Sequence, residues 1–273
     1  MKNTKVKALV ESAILIAIAT VLSLIKIIDL PYGGSVTIAS MFPIAIISYR
    51  HGIKRGCAAG IVYGVIQQLT GLNTLSYFTS WQSIVAIIMI DYIIAFAVSG
   101  LGGIFRKIVK KQSTALVLGV LLVGILRYAC HVITGATVWA GVSIPTKAAL
   151  IYSFVYNATY MIPETIILII ISAYIGSVIN FNANIPLRVT NSDGSPVSSI
   201  LTALSGLPIT AALIADVALI FSKLQNAETG EFAIEGIANV NWGAVCITSG
   251  IAMIMSIALL IISKFIRNRN LTK

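Results

Sequence analysis

Arg127, His131, Gly135 and Trp139 follow one another at i, i+4, i+8 and i+12 in the stretch RYACHVITGATVW, residues 127–139. On a helix that spacing draws one slowly drifting stripe. The surrounding residues are apolar enough for a membrane, where a cation, an imidazole and an indole cannot face lipid cheaply. They should face a cavity. Asp91 lies nine residues into an apolar run that starts at 82, His131 seven before the end of one that closes at 138, and Asn157 nine into one that starts at 148. At 1.5 Å per residue all three lie roughly 10–14 Å below one membrane face. An acid, an imidazole and an amide at one depth on successive helices suit a pocket for a small polar ligand, with Trp139 and Tyr152 shallower, as wall or lid. Arg127 and Glu164 fall mid-membrane and are expected to pair with each other structurally, because the long guanidinium fork bridges a modest depth offset.

Other chemistries are thinly represented. The chain has no G-x-x-x-x-G-K-S/T phosphate loop, no H-E-x-x-H and no G-x-S-x-G. Cys57, Cys130 and Cys246 are widely spaced in apolar surroundings and read as small core residues, neither a disulfide framework nor a metal site. Binding suits the residues better than catalysis, although Asp91 and His131 leave an intramembrane acid–base enzyme open, and an ion-driven transporter is the other alternative.

The elements that must position these residues follow from composition. Of 273 residues 58% are apolar and 10% charged, and mean hydropathy is +0.95. A soluble domain is about a quarter charged. Apolar runs near the length that spans a bilayer recur along the chain, so an all-α polytopic membrane protein is expected. The economical parse has helices at about 8–29, 37–49, 53–70, 82–105, 114–138, 148–181, 198–223 and 242–266. The second is too short to span and contains Pro43, which points to a binding site, since irregular backbone at membrane depth survives only beside protein or a cavity. Pro163 should kink the sixth.

The net charge of +10 follows membrane topology and not nucleic acid. Fifteen of the nineteen Lys and Arg residues fall at the N-terminus, the 2–3 turn, the 4–5 loop, the 6–7 loop and the C-terminal tail. The positive-inside rule then puts both termini in the cytoplasm. Outside lie 30–36, with turn residues Pro31, Gly33 and Gly34, then 71–81 with Tyr77, Phe78 and Trp81, and a last loop holding Glu228, Glu231 and Glu235 as a solvated face.

Four segments in order carry a family likeness: YGGSVTIASMFPIAIISYRHGIKRG (32–56), MIDYIIAF (89–96), RYACHVITGATVW (127–139) and YSFVYNATYMIPE (152–164). Together they resemble the thiamine-specific S components of energy-coupling-factor transporters, the ThiT/YuaJ family, over roughly residues 5–180. The resemblance implies a six-helix thiamine-binding core at 1–181, with 182–273 an extension carrying two further transmembrane helices. It implies a multi-pass protein of the bacterial plasma membrane, without enzyme activity or cofactor, that captures thiamine from outside and works with a membrane coupling subunit and two ATPases. The ligand contacts it implies are Asp91 and Tyr92, His131 and Trp139, and Tyr152 and Asn157. Helix 1 would dock on the coupling subunit through Ala13 and Ala17. Gly34 stands where some members place a tryptophan, so a stacking surface is either missing or supplied by Trp81. Asp91 stands where glutamate is common and reaches one methylene less. A different heterocyclic vitamin, or the hydroxymethylpyrimidine half of thiamine, is the alternative ligand.

Overall fold

A computed structural model describes residues 2–30, 33–142, 144, 146–189, 197–198, 201, 204–224 and 234–271. Pro31, Glu228, Glu231 and Lys273 lie outside the described residues. The helices are α1 Lys2–Leu24, α2 Phe42–His51, α3 Ile53–Thr70, α4 Trp81–Lys107, α5 Gln112–Thr137, α6 Ala149–Val178, α7 Gly206–Leu224 and α8 Trp242–Leu271. Among the described residues six of these, all except α2 and α3, are long and apolar enough to cross a membrane. The chain divides into two compact units, Met1–Gly176 with Phe181–Ile185, and Ser177–Asn180 with Pro186–Lys273.

In the first unit the expected first helix stops short. Lys26–Asp29 forms strand β1 and pairs antiparallel with β2, Ser35–Thr37. Ile27 and Ile28 are β-branched and fit a ribbon better than a helix end. Gly33, at φ +105°, turns the ribbon in a conformation that only glycine takes without strain. The second helix starts five residues later than its expected 37, and Pro43 opens it where the parse has an interruption. A missing N–H costs nothing in a first helical turn. Phe42 to Tyr49 are buried throughout, and α2 packs against α1, α3 and α5. α6 runs unbroken through Pro163.

α4 is a composite. It begins as an α-helix at Trp81–Ala86, widens to a π-helix over Ile87–Ile94, and tightens to 3₁₀ turns at Val98–Leu101 and Ile104–Lys107. Glycines on α3 carry this irregular rod. A Cβ on Gly60 would stand 2.3 Å from the Phe96 carbonyl oxygen, one on Gly64 2.6 Å from that of Tyr92, and one on Gly56 2.8 Å from that of Gly100. Glycines four apart let helix backbones touch. Gly119 of α5 meets the Gly102 carbonyl in the same way.

A polar clamp fixes the rotation of α1. Arg50, at the end of α2, gives Nε and Nη2 to the Glu11 carboxylate at 3.0 Å each, and Nη1 and Nη2 to the carbonyls of Phe181, Ala183 and Asn184. Lys7 also bonds Asn184. With Glu11 held inward, Ala8 and Ala19 are buried, while Ala13 and Ala17 face out beside Leu9, Ile14 and Ile18.

In the second unit hydroxyls fasten α8 both to Ser198, which precedes α7, and to α7 itself. Ser198 and Ser263 bond each other at 3.0 Å, and the buried Asp216 carboxylate accepts from Thr248 and, at 2.6 Å, from Ser249.

Substituting Gly60→Ala should lower the thermal midpoint of the detergent-solubilised protein by several degrees, as overpacking costs about 1–3 kcal/mol. Gly250→Ala, inside α8 where a Cβ meets nothing within 4 Å, should not lower it and should raise it slightly through alanine's helix preference. Circular dichroism melts check both, and equal midpoints would refute the backbone seam.

Candidate functional site

The π-helical stretch of α4 carries Asp91 and Tyr92, and π-turns inside helices are frequent at functional sites. Asp91 is the meeting point of three donors, all from α5 or the residues just after it. Its Oδ1 accepts from His131 Nδ1 at 2.9 Å and from the Thr134 hydroxyl at 2.5 Å, and its Oδ2 from the Trp139 indole N–H at 3.3 Å. The side chains of Asp91 and His131 are 11% and 13% exposed. With three donors from α5 and its continuation meeting one carboxyl group, this node cross-links α4 to α5.

α6 is fastened to α5 by amide and hydroxyl. Asn157 Nδ2 donates to the carbonyls of His131 at 3.2 Å and Ser153 at 2.8 Å, and its Oδ1 accepts from the Tyr160 hydroxyl at 2.5 Å. Ser153 donates to the Val132 carbonyl at 2.8 Å. Gly135 admits α6 here: a Cβ would stand 2.2 Å from Ser153 Oγ and 3.1 Å from Asn157 Nδ2. The gap in the α5 stripe is filled largely by protein.

These groups wall one cavity of about 380 Å³. Asp91, Tyr92, His131, Thr134 and Trp139 line one part of it, with Gly33, Gly34 and Thr74 from the loops. Thr37, Ser40, Arg127 and Glu164 line another, and Tyr156, Asn157 and Tyr160 come from α6. Trp139 is stacked edge-on by Phe78 at 4.7 Å between ring centroids and flanked by Tyr77 at 6.2 Å. Gly34 lies against Tyr160, whose ring a Cβ would meet at 2.9 Å.

Three expectations need correcting. Arg127 and Glu164 share the cavity but form no ion pair within 4.0 Å. The guanidinium sits over the Phe96 ring at 4.7 Å, and Glu164 Oε1 accepts from Thr37 at 2.8 Å. Trp81, expected as a stacking surface in place of a tryptophan at Gly34, is 70% exposed at the start of α4 and is not among the residues lining the cavity. Tyr152 also stays outside the wall, and Tyr156 and Tyr160, one and two turns further along α6, line it in its stead. Thr134 and Thr37 are the polar residues that sequence reasoning passed over. Thr134 follows His131 at i+3, a spacing that places both on one helix face.

A helical membrane bundle closed round a small polar cavity defines a multi-pass membrane protein that handles a small molecule. The chain belongs to the thiamine transporter protein (Thia_YuaJ) family, whose family model matches residues 9–181. It is 36% identical over 174 residues to the thiamine transporter ThiT of Bacillus subtilis (strain 168), covering 60% of this chain and 86% of the relative. Against ThiT of Lacticaseibacillus paracasei it is 26% identical over 186 residues, covering 62% and 87%. A solved structure of ThiT from Listeria monocytogenes shares the fold, with a TM-score of 0.53 at 24% identity over 63% of this chain and 94% of that one. The chain is thus a cell-membrane protein of a transporter family and not an enzyme.

Tyr160→Phe removes the donor to Asn157 Oδ1 and leaves a buried acceptor without it, at about 1–3 kcal/mol. The melting midpoint should fall accordingly. Trp81→Phe should leave it in place, and a fall with Trp81→Phe alone would contradict the arrangement.

Proposed function

We propose that this chain is the substrate-binding membrane subunit of an energy-coupling-factor importer, and that it captures thiamine from the extracellular side. The observation that carries the reading is the Asp91 carboxylate set among aromatic walls inside the membrane. Thiamine bears a permanent thiazolium cation, which an aromatic face and a nearby carboxylate both favour. Its flat aminopyrimidine suits stacking on the Trp139 indole, and its ring nitrogens and amine need fixed polar partners, for which His131 and Asn157 are suited. Tyr92 lines the same cavity, with its hydroxyl 3.3 Å from that of Thr74. Tyr152 and Trp81 are not among the residues lining the cavity. The names of the relatives, thiamine transporters, support the same ligand.

Every cavity residue falls between Ser23 and Glu164, so binding is assigned to residues 1–181, and 182–273 is an extension outside the family match. The concentration of Lys and Arg argues that both termini are cytoplasmic. With no phosphate-binding loop of its own, the subunit draws its energy from a membrane coupling protein and two ATPases. The outward face of α1, with Ala13 and Ala17 on it, is the surface on which that coupling protein docks. Small residues allow close helix approach there.

Calorimetry on the purified, detergent-solubilised chain should give nanomolar-range thiamine binding without ATP, and no heat at micromolar protein would sink the reading. Asp91→Asn and Trp139→Ala should each weaken it tenfold or more, about 1.4 kcal/mol. Ala13→Leu and Ala17→Leu should cut thiamine uptake in cells while the purified variants bind as tightly as wild type. Unchanged uptake in both would remove α1 as the docking face.

A further inference from the structure

Thr134 is 1% exposed, and its hydroxyl has three acceptors within reach. Asp91 Oδ1 is the nearest at 2.5 Å, against 3.1 Å to the His131 carbonyl and 3.2 Å to that of Cys130. A hydroxyl has one proton to give, and the short bond to a carboxylate takes it. Threonine in a helix otherwise returns that proton to its own backbone. Here it reaches across to α4 and holds Oδ1 at the point where His131 Nδ1 also arrives, at 2.9 Å.

The orientation of that carboxylate has a consequence on the far side of the imidazole. A carboxylate oxygen only accepts, so His131 Nδ1 carries a proton toward Asp91, and in the neutral imidazole Nε2 carries the lone pair. His131 lines the cavity, and its Nε2 is buried with no hydrogen-bond partner among the described residues. The open atom of the wall is therefore an acceptor, and it rewards a ligand that brings a donor. Thiamine presents an exocyclic amine on its pyrimidine. Its 4′-oxo analogue, oxythiamine, presents a carbonyl at the same place, which would set two acceptors face to face. A buried polar group left facing the wrong partner is how a site discriminates strongly between near-isosteres.

We propose that Thr134 is a positioning residue for ligand choice: by orienting Asp91 it fixes His131 with an acceptor toward the cavity, and so selects amino-substituted heterocycles over their oxo counterparts. The inference rests on the thiamine reading above. Its components are the Asp91–Thr134 bond, the Asp91–His131 bond and the unpartnered Nε2.

Two measurements on the full chain test it. The first titrates thiamine and oxythiamine into wild type, Thr134→Val and Thr134→Ser. Wild type should prefer thiamine by at least tenfold. Thr134→Val, which keeps shape and loses the hydroxyl, should bind thiamine at least tenfold more weakly and lose most of that preference, and Thr134→Ser should restore it. An equal loss for both ligands, or a wild-type ratio in Thr134→Val, would overturn the proposal. Failure of wild type to bind either ligand would instead overturn the thiamine reading. The second needs no ligand. The chain has two histidines, His51 and His131, so ¹⁵N spectroscopy of the imidazoles, with His51→Gln for assignment, reads the tautomer of His131. An unprotonated Nε2 is expected in wild type and a tautomer mixture in Thr134→Val; a protonated Nε2 in wild type would overturn the proposal.

Discussion

A carboxyl group among membrane helices needs hydrogen-bond donors, because the surrounding lipid offers none. Asp91 meets that requirement with donors drawn from one helix and its immediate continuation: His131, Thr134 and Trp139. The position of α4 against α5 is set by this demand. α6 is then tied to α5 by Asn157 and Ser153, bonding to carbonyls on the very turns of α5 that carry His131. The cavity is what remains when three helices have each satisfied the polar groups of the next.

That order of satisfaction separates polar atoms already bonded within the protein from those that are not. Asn157 has both ends of its amide engaged, and Asp91 has both oxygens engaged. By contrast His131 Nε2, Arg127 Nε and Arg127 Nη1 are buried without hydrogen-bond partners among the described residues. Some polar groups in the wall are thus bonded to neighbouring helices, and others stand open toward the cavity. Which is which is a matter of geometry and cannot be drawn from residue type.

Much of the frame is legible in the sequence because lipid imposes it. Long apolar runs give the spanning helices, and counting residues from their ends sets Asp91, His131 and Asn157 at one depth, all three on one cavity wall. Depth counting says nothing of azimuth, however. It therefore brings Arg127 and Glu164 together, whereas the guanidinium turns to Phe96 and the carboxylate to Thr37. Periodicity also assumes one helical pitch, and α4 uses three, so a pattern read at the α period cannot find its π-turn. The β1–β2 ribbon hides inside an apolar run since Ile27 and Ile28 look as lipid-compatible as their helical neighbours. Gly56, Gly60 and Gly64, at steps of four, are a signal that was present and legible as a close-packing face.

Those three glycines also decide what can move. An interface built from side chains absorbs strain by changing rotamers, but one where Cα meets carbonyl has no rotamers to change. α3 and the irregular half of α4 are thus joined backbone to backbone, and Asp91 is mounted on that seam. The β1–β2 ribbon and the 3₁₀ turn Leu72–Tyr77 lie outside it, where contacts are made by side chains that do have rotamers to change.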